Sequence, residues 1–106
     1  MEEVFNGILM EITKECPQVH LGNMMRSPAL ALENKVFAFY HRQSMVFKLD
    51  EHAPFYIEKF PGADYLSPFK NRPPMKGWVV VPADYQYHWK SLAEEAYTNL
   101  VSLTKR

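Results

Sequence analysis

Hydrophobic positions in the chain change period several times, and each change marks an expected element. Val4, Phe5, Ile8, Leu9 and Ile12 form one stripe at helical spacing, with Glu2, Glu3, Glu11 and Lys14 elsewhere, which predicts an amphipathic helix from about Glu2 to Glu15. Pro17 lacks a backbone N–H and disfavours helical angles at Cys16, so the helix is expected to close there. From Val19 to Asp50 the chain turns to short apolar runs, Ala29–Leu32, Val36–His41 and Met45–Leu49, separated by Glu33-Asn34-Lys35 and Arg42-Gln43-Ser44. This spacing predicts an antiparallel meander. Asn34 tolerates positive φ and is the expected left-handed residue of the first hairpin. Val36 to Tyr40 are all apolar, as in a strand that is covered on both faces or central in its sheet.

Beyond Asp50, the residues Phe55, Tyr56, Ile57 and Phe60 suit one short helix with Pro54 in its first turn and Pro61-Gly62 at its end. Ala63–Gly77 carries three prolines and no clear period, so an ordered loop is expected, with a short strand at Tyr65–Phe69. Trp78–Pro82 reads as a strand closed by proline. Tyr85, Trp89, Leu92, Ala96, Tyr97, Leu100 and Leu103 then predict a C-terminal helix from about Asp84 to Thr104. The order suits a two-layer α+β domain, an antiparallel sheet covered on one face by the N- and C-terminal helices.

Composition narrows the function classes. With 106 residues the chain makes one domain that can bury its own core. Twelve basic and twelve acidic residues leave no net charge, so contact with nucleic acid or an anionic membrane requires a local patch. No apolar run reaches the roughly 18 residues needed to span a bilayer. One cysteine and a charged start, Met1-Glu2-Glu3, without a signal-peptide pattern, point to the cytoplasm.

Candidate chemistry is sparse. Phe69 to Trp78 holds Lys70, Arg72 and Lys76, no acid, and the apolar Phe69, Met75 and Trp78, so it can neutralise an anion and offer stacking faces. The competing account is a solvated connector that Met75 and Trp78 pin to the core. Lys48 interrupts an apolar strand: it is either a buried ammonium in need of a partner or an outward charge guarding an edge. Cys16 and His20 make half of a metal-ligand spacing, but one thiolate with scattered His41, His52 and His88 does not complete a zinc set, and no oxyanion loop supports a Cys16 nucleophile. Asp50-Glu51 and Glu94-Glu95 are adjacent, so their side chains diverge and form no dyad. Neither a P-loop nor another nucleotide or hydrolase motif is present. No catalytic residue, metal or cofactor is expected. Met10, Met24, Met25, Met45 and Met75 offer adaptable apolar surface, and an open strand edge offers a route to a homodimer or to strand capture.

Gly22-Asn23-Met24-Met25, Asn34-Lys35-Val36-Phe37-Ala38, Val46-Phe47-Lys48-Leu49, Pro61-Gly62-Ala63 and Arg72-Pro73-Pro74-Met75-Lys76-Gly77-Trp78 occur in an order that resembles the TfoX N-terminal domain family. The resemblance runs from about Val19 into the C-terminal helix, and the whole of 1–106 is expected to be one such domain. It implies a fold similar to type III secretion chaperones and a non-enzymatic regulatory role with a protein partner, and it brings no catalytic residues. The chain departs from the family at Met25-Arg26, where a Phe-Gly is common, at Glu33-Asn34 in the hairpin, and at Pro74, an extra residue in Arg-Pro-Met. The YjbR-like proteins share the Lys-Val-Phe-Ala and Phe-Lys-Leu strands and suggest a rival reading. In it, Lys70, Arg72 and Lys76, with Arg26 and Lys35, contact phosphate in nucleic acid. The binding residues expected from these readings are Lys70, Arg72, Met75, Lys76, Trp78, Lys48 and Arg26.

Overall fold

The computed structural model describes residues 2–67 and 71–104. Helix α1 (Glu2–Glu15) leads into β1 (Val19–Met24), β2 (Ser27–Leu32), β3 (Lys35–His41) and β4 (Ser44–Lys48). A 3₁₀ turn at Asp50–His52 and helix α2 (Ala53–Lys59) follow, then β5 (Asp64–Leu66) and β6 (Met75–Pro82). A 3₁₀ segment at Ala83–His88 enters α3 (Trp89–Thr104). The strands form one antiparallel sheet in the order β1-β2-β3-β4-β6-β5. This is the expected α+β architecture.

Its hairpins are tight without glycine. Met25 and Arg26 take φ of 52° and 64°, and Arg42 and Gln43 take 50° and 62°. Two successive positive φ values are the pattern of a type I′ turn, whose twist matches the flanking strands. In the β2–β3 hairpin, Glu33 rather than Asn34 takes the positive φ, 56°. The closing pair Leu32↔Lys35 makes Glu33 the first central residue, where a II′-like turn requires the left-handed conformation.

The register slips between Leu30 and Ala31, so that Ala31 pairs with Val36 while Leu30 pairs with Ala38. Phe37 is the extra residue of this bulge. The bulge turns Phe37 to the same side as Ala38 and Tyr40, into the helix-covered core, while Val36 and Phe39 join the opposite face. The apolar run Val36–Tyr40 thus serves two cores, as its composition suggested.

All three helices lie on one face. Phe5, Ile8 and Ile12 of α1, Ala53 of α2, and Trp89, Leu92, Ala96 and Leu100 of α3 pack on Leu30, Met45, Phe47, Val79 and Val81. The Trp89 indole Nε1–H donates to the Val81 carbonyl at 3.2 Å, which ties the start of α3 to β6.

Several boundaries differ from the sequence expectation. Val19–Met24 is a strand of its own. The strand expected at Tyr65–Phe69 is Asp64–Leu66, and Phe69 lies outside the described residues. Strand β6 starts at Met75, inside the expected loop, because its backbone reaches both Leu66 and the Leu49 N–H. The C-terminal helix becomes α-helical only at Trp89. Tyr85 sits at non-helical angles, and its hydroxyl donates to the Pro61 carbonyl, fixing the 3₁₀ entry against the end of α2.

Helices α1 and α3 are joined by charge. Lys90 Nζ lies 3.1 Å from Glu15, 3.5 Å from Glu11 and 3.8 Å from Glu94. The hydrogen bond to Glu15 is the main cause holding the Lys90 ammonium above its ordinary pKa, and the same bond holds Glu15 below its own. Burial, then the neighbouring Glu15, raises Glu94. The signs therefore differ. Glu15 stabilises the fold above pH 4.5, an effect lost as pH falls through its lowered value. Glu94 favours the fold more once protonated, and the Lys90 contribution is lost as pH rises through its raised value. Lys90→Ala is expected to lower the melting temperature in low salt near neutral pH, with the difference shrinking in about 1 M salt, where the screening length is about 3 Å. A salt-independent difference would assign the effect to packing of the lysine stem.

Candidate interaction site

The sheet face away from the helices carries a second, smaller core. Ala29, Phe39, Val46, Leu66 and Trp78 are buried there, with Met24, Val36, Met75 and Val80 packed against them. Trp78 and Phe39 meet with ring centroids 5.7 Å apart. Two of the expected binding residues, Met75 and Trp78, therefore anchor the chain to the sheet. Lys76, between them, is exposed, as is Arg72. Lys70 lies outside the described residues.

Lys48 is opposite Trp78 in the β4–β6 ladder, so its side chain belongs to this face. It is one-third exposed and stands 3.9 Å from Asp50 Oδ1. Asp50 has a φ of 49°, and its Oδ2 is buried with no hydrogen-bond partner. The carboxylate is held there by a close backbone approach. The Leu49 N–H donates to the Gly77 carbonyl at 2.8 Å, and a Cβ on Gly77 would lie 2.9 Å from Asp50 Oδ1.

Strand directions divide the cations. The 25–26 and 42–43 turns share one end of the sheet, which puts Arg26 and Arg42 there. Lys35, Lys48 and Lys76 lie toward the other end, a strand length of about 20 Å away. Beside the first end is an open groove of about 520 Å³, lined by Met25, His41, Arg42, Asp64, Tyr65 and Val80 among others. His41 is positioned by a 3.1 Å bond between its Nδ1 and Ser27 Oγ. Sequence reasoning did not select Arg42 or Asp64, because the groove draws them from a hairpin turn and from the start of β5, 22 residues apart in the chain.

The Cys16–His20 pairing does not form a reactive couple. Cys16 neighbours Tyr97, whose hydroxyl pKa is raised first by burial and then by Cys16. Both His20 ring nitrogens face carbonyl oxygens, Nδ1 that of Leu21 at 3.2 Å and Nε2 that of Glu33 at 2.7 Å. Among the described residues, no three His, Cys, Asp or Glu side chains are grouped to hold a metal, and no helix is long and apolar enough to cross a membrane. One carboxylate pair does form, between Glu15 and Glu94, around Lys90.

The two edges of the sheet are unlike. Strand β5 has three residues, begins with Asp64 and is irregular between Tyr65 and Leu66. A short, charged, bulged strand is a poor template for further pairing. Strand β1 has six residues, Val-His-Leu-Gly-Asn-Met, with no Lys, Arg, Asp, Glu or Pro and no register slip against β2. The type I′ turn makes Met24↔Ser27 a hydrogen-bonded pair, so alternation assigns Gly22 and His20 to the ladder as well. The N–H and C=O groups of Leu21 and Asn23 then point away from the sheet, as does the Val19 carbonyl. The Val19 N–H fits this pattern, since it bonds outside the ladder, to the Cys16 carbonyl at 3.0 Å. The Leu21 side chain is 58% exposed. Compared with protein-family models, curated proteins and solved structures, the chain matches none.

Proposed function

We propose that the chain is a non-enzymatic regulatory interaction module of the TfoX N-terminal type, which takes an extended protein segment along β1 as a seventh strand. The observation that carries this reading is the uncharged, six-residue edge with its outward row of backbone donors and acceptors. Strand addition draws affinity from main-chain hydrogen bonds and needs no charge from the receiving strand. The ordered motifs from Gly22 to Trp78 support the family assignment. The nucleic-acid alternative has less support, because Arg26 stands a strand length away from Lys35, Lys48 and Lys76 and these cations form no single compact patch.

Peptides selected from a random nine-residue library against the dilute folded chain test the proposal. They are expected to shift the Leu21 and Asn23 amide resonances and to slow their hydrogen exchange. Leu21→Lys is expected to weaken them about tenfold, through loss of apolar cover. Selected peptides that map to other surfaces, or a library that yields no binder, would refute it.

A further inference from the structure

We infer that the natural occupant of the β1 edge is a second copy of this chain, paired antiparallel about a twofold axis at Leu21. The inference rests on the reading of β1 as a strand-accepting edge, and three observations carry it further.

The first is symmetry of the outward groups. Val19, Leu21 and Asn23 are the residues of β1 that face away from β2, and they are evenly placed about Leu21. Antiparallel pairing centred there opposes Leu21 to Leu21 of the second copy and Val19 to Asn23. The two Leu21 residues exchange both main-chain bonds, and each Asn23 N–H donates to the opposing Val19 carbonyl. These are four hydrogen bonds that leave the Val19–Cys16 bond intact. The Leu21 carbonyl keeps a lone pair for its new donor beside the His20 contact.

The second is shape. In this register the intervening pairs set His20 opposite Gly22, at the non-hydrogen-bonded positions where side chains come closest. A ring meets a residue with no side chain. On the helix side of the sheet, the two exposed Leu21 side chains cover each other. No like charges are opposed, because β1 carries no acidic or basic residue of the Asp, Glu, Lys or Arg type.

The third is closure. A twofold axis perpendicular to the sheet keeps both helix layers on one side and joins the sheets into twelve strands. The outer edges of that sheet are the two β5 strands, each short, acidic and bulged. Addition therefore stops at two copies, where two open edges would give a fibre.

The test is sedimentation of the full chain from about 1 µM to about 1 mM, with amide exchange measured at both ends of the range. A monomer–dimer equilibrium is expected, with the Leu21 and Asn23 amides slowing as dimer forms. Leu21→Lys places two ammonium groups at the axis and is expected to raise the dimer dissociation constant about tenfold or more. Asn23→Pro removes an outward N–H that β2 does not use, and is expected to weaken the dimer while leaving the circular dichroism spectrum unchanged. A chain that stays monomeric throughout, or a dimer indifferent to both substitutions, overturns the inference. If the chain is monomeric yet selected peptides still bind β1, the self-pairing fails while the proposed function stands. If neither occurs, both fail.

Discussion

Trp89→Ala is expected to be the most damaging single truncation, costing about 3–5 kcal/mol in urea unfolding. Trp89 is fully buried, meets Tyr40 edge-on with centroids 6.4 Å apart, and begins α3. Its loss opens a cavity between α3 and β6, where the mixed helix and sheet walls cannot simply close together. It also removes the indole donor to the Val81 carbonyl, which keeps its ladder bond from the Met45 N–H, so the cavity carries most of the cost. A domain of this size has roughly 5–15 kcal/mol in total, so the variant is expected to populate its unfolded state measurably under mild denaturant. Tyr87→Ala is the control. Tyr87 lies two residues away and is 90% exposed, so its truncation is expected to change stability by less than about 0.5 kcal/mol. Equal losses for the two variants would contradict the placement of the core.

The same pair of residues shows what the sequence discloses. Trp89 belongs to a stripe that repeats every three or four residues, so its burial is legible from spacing, as is that of Phe5, Ile8 and Ile12. Periodicity also locates β3 and β4. It does not locate β1, because His20, Gly22 and Asn23 dilute the alternation and the turn after β1 lacks the glycine that would announce it. Met25, Arg26, Arg42 and Gln43 reach positive φ under the constraint of strand pairing, which is a tertiary effect. The Phe37 bulge is likewise set by register, not by composition. The candidate surface is partly legible: an open edge is expected from the sequence, whereas Met75 and Trp78, expected as binding residues, pack into the second core, and which strand forms the edge depends on the order β4-β6-β5, which local patterns do not encode. The Glu15–Lys90 contact joins positions 75 residues apart and has no local signal, whereas Lys90 and Glu94 stand four apart on α3.

The second large effect is expected at Gly77, where the backbone of β6 passes the Asp50 turn. A methyl group at Gly77 would stand 2.9 Å from Asp50 Oδ1 and 3.5 Å from Asp50 Cα. The carboxylate has little freedom to retreat. Asp50 is already left-handed, its Oδ2 is enclosed, and the adjoining Leu49 N–H is held by the Gly77 carbonyl itself. Gly77→Ala is therefore expected to cost about 1–3 kcal/mol, although alanine in a strand interior is otherwise favoured over glycine by roughly 0.5–1 kcal/mol. Asp50→Gly removes the obstructing group, the enclosed orphan oxygen and the left-handed strain together, so alone it is expected to fall within about 1 kcal/mol of the parent. In that background Gly77→Ala no longer meets a side chain, and the remaining 3.5 Å approach is ordinary contact. The alanine is then expected to be neutral or stabilising, which gives the pair a coupling energy of at least about 1 kcal/mol in a double-mutant cycle. Additive costs at the two positions would mean that the methyl group is resisted by something other than Asp50, and that the turn at the head of α2 is not what holds β6 in place.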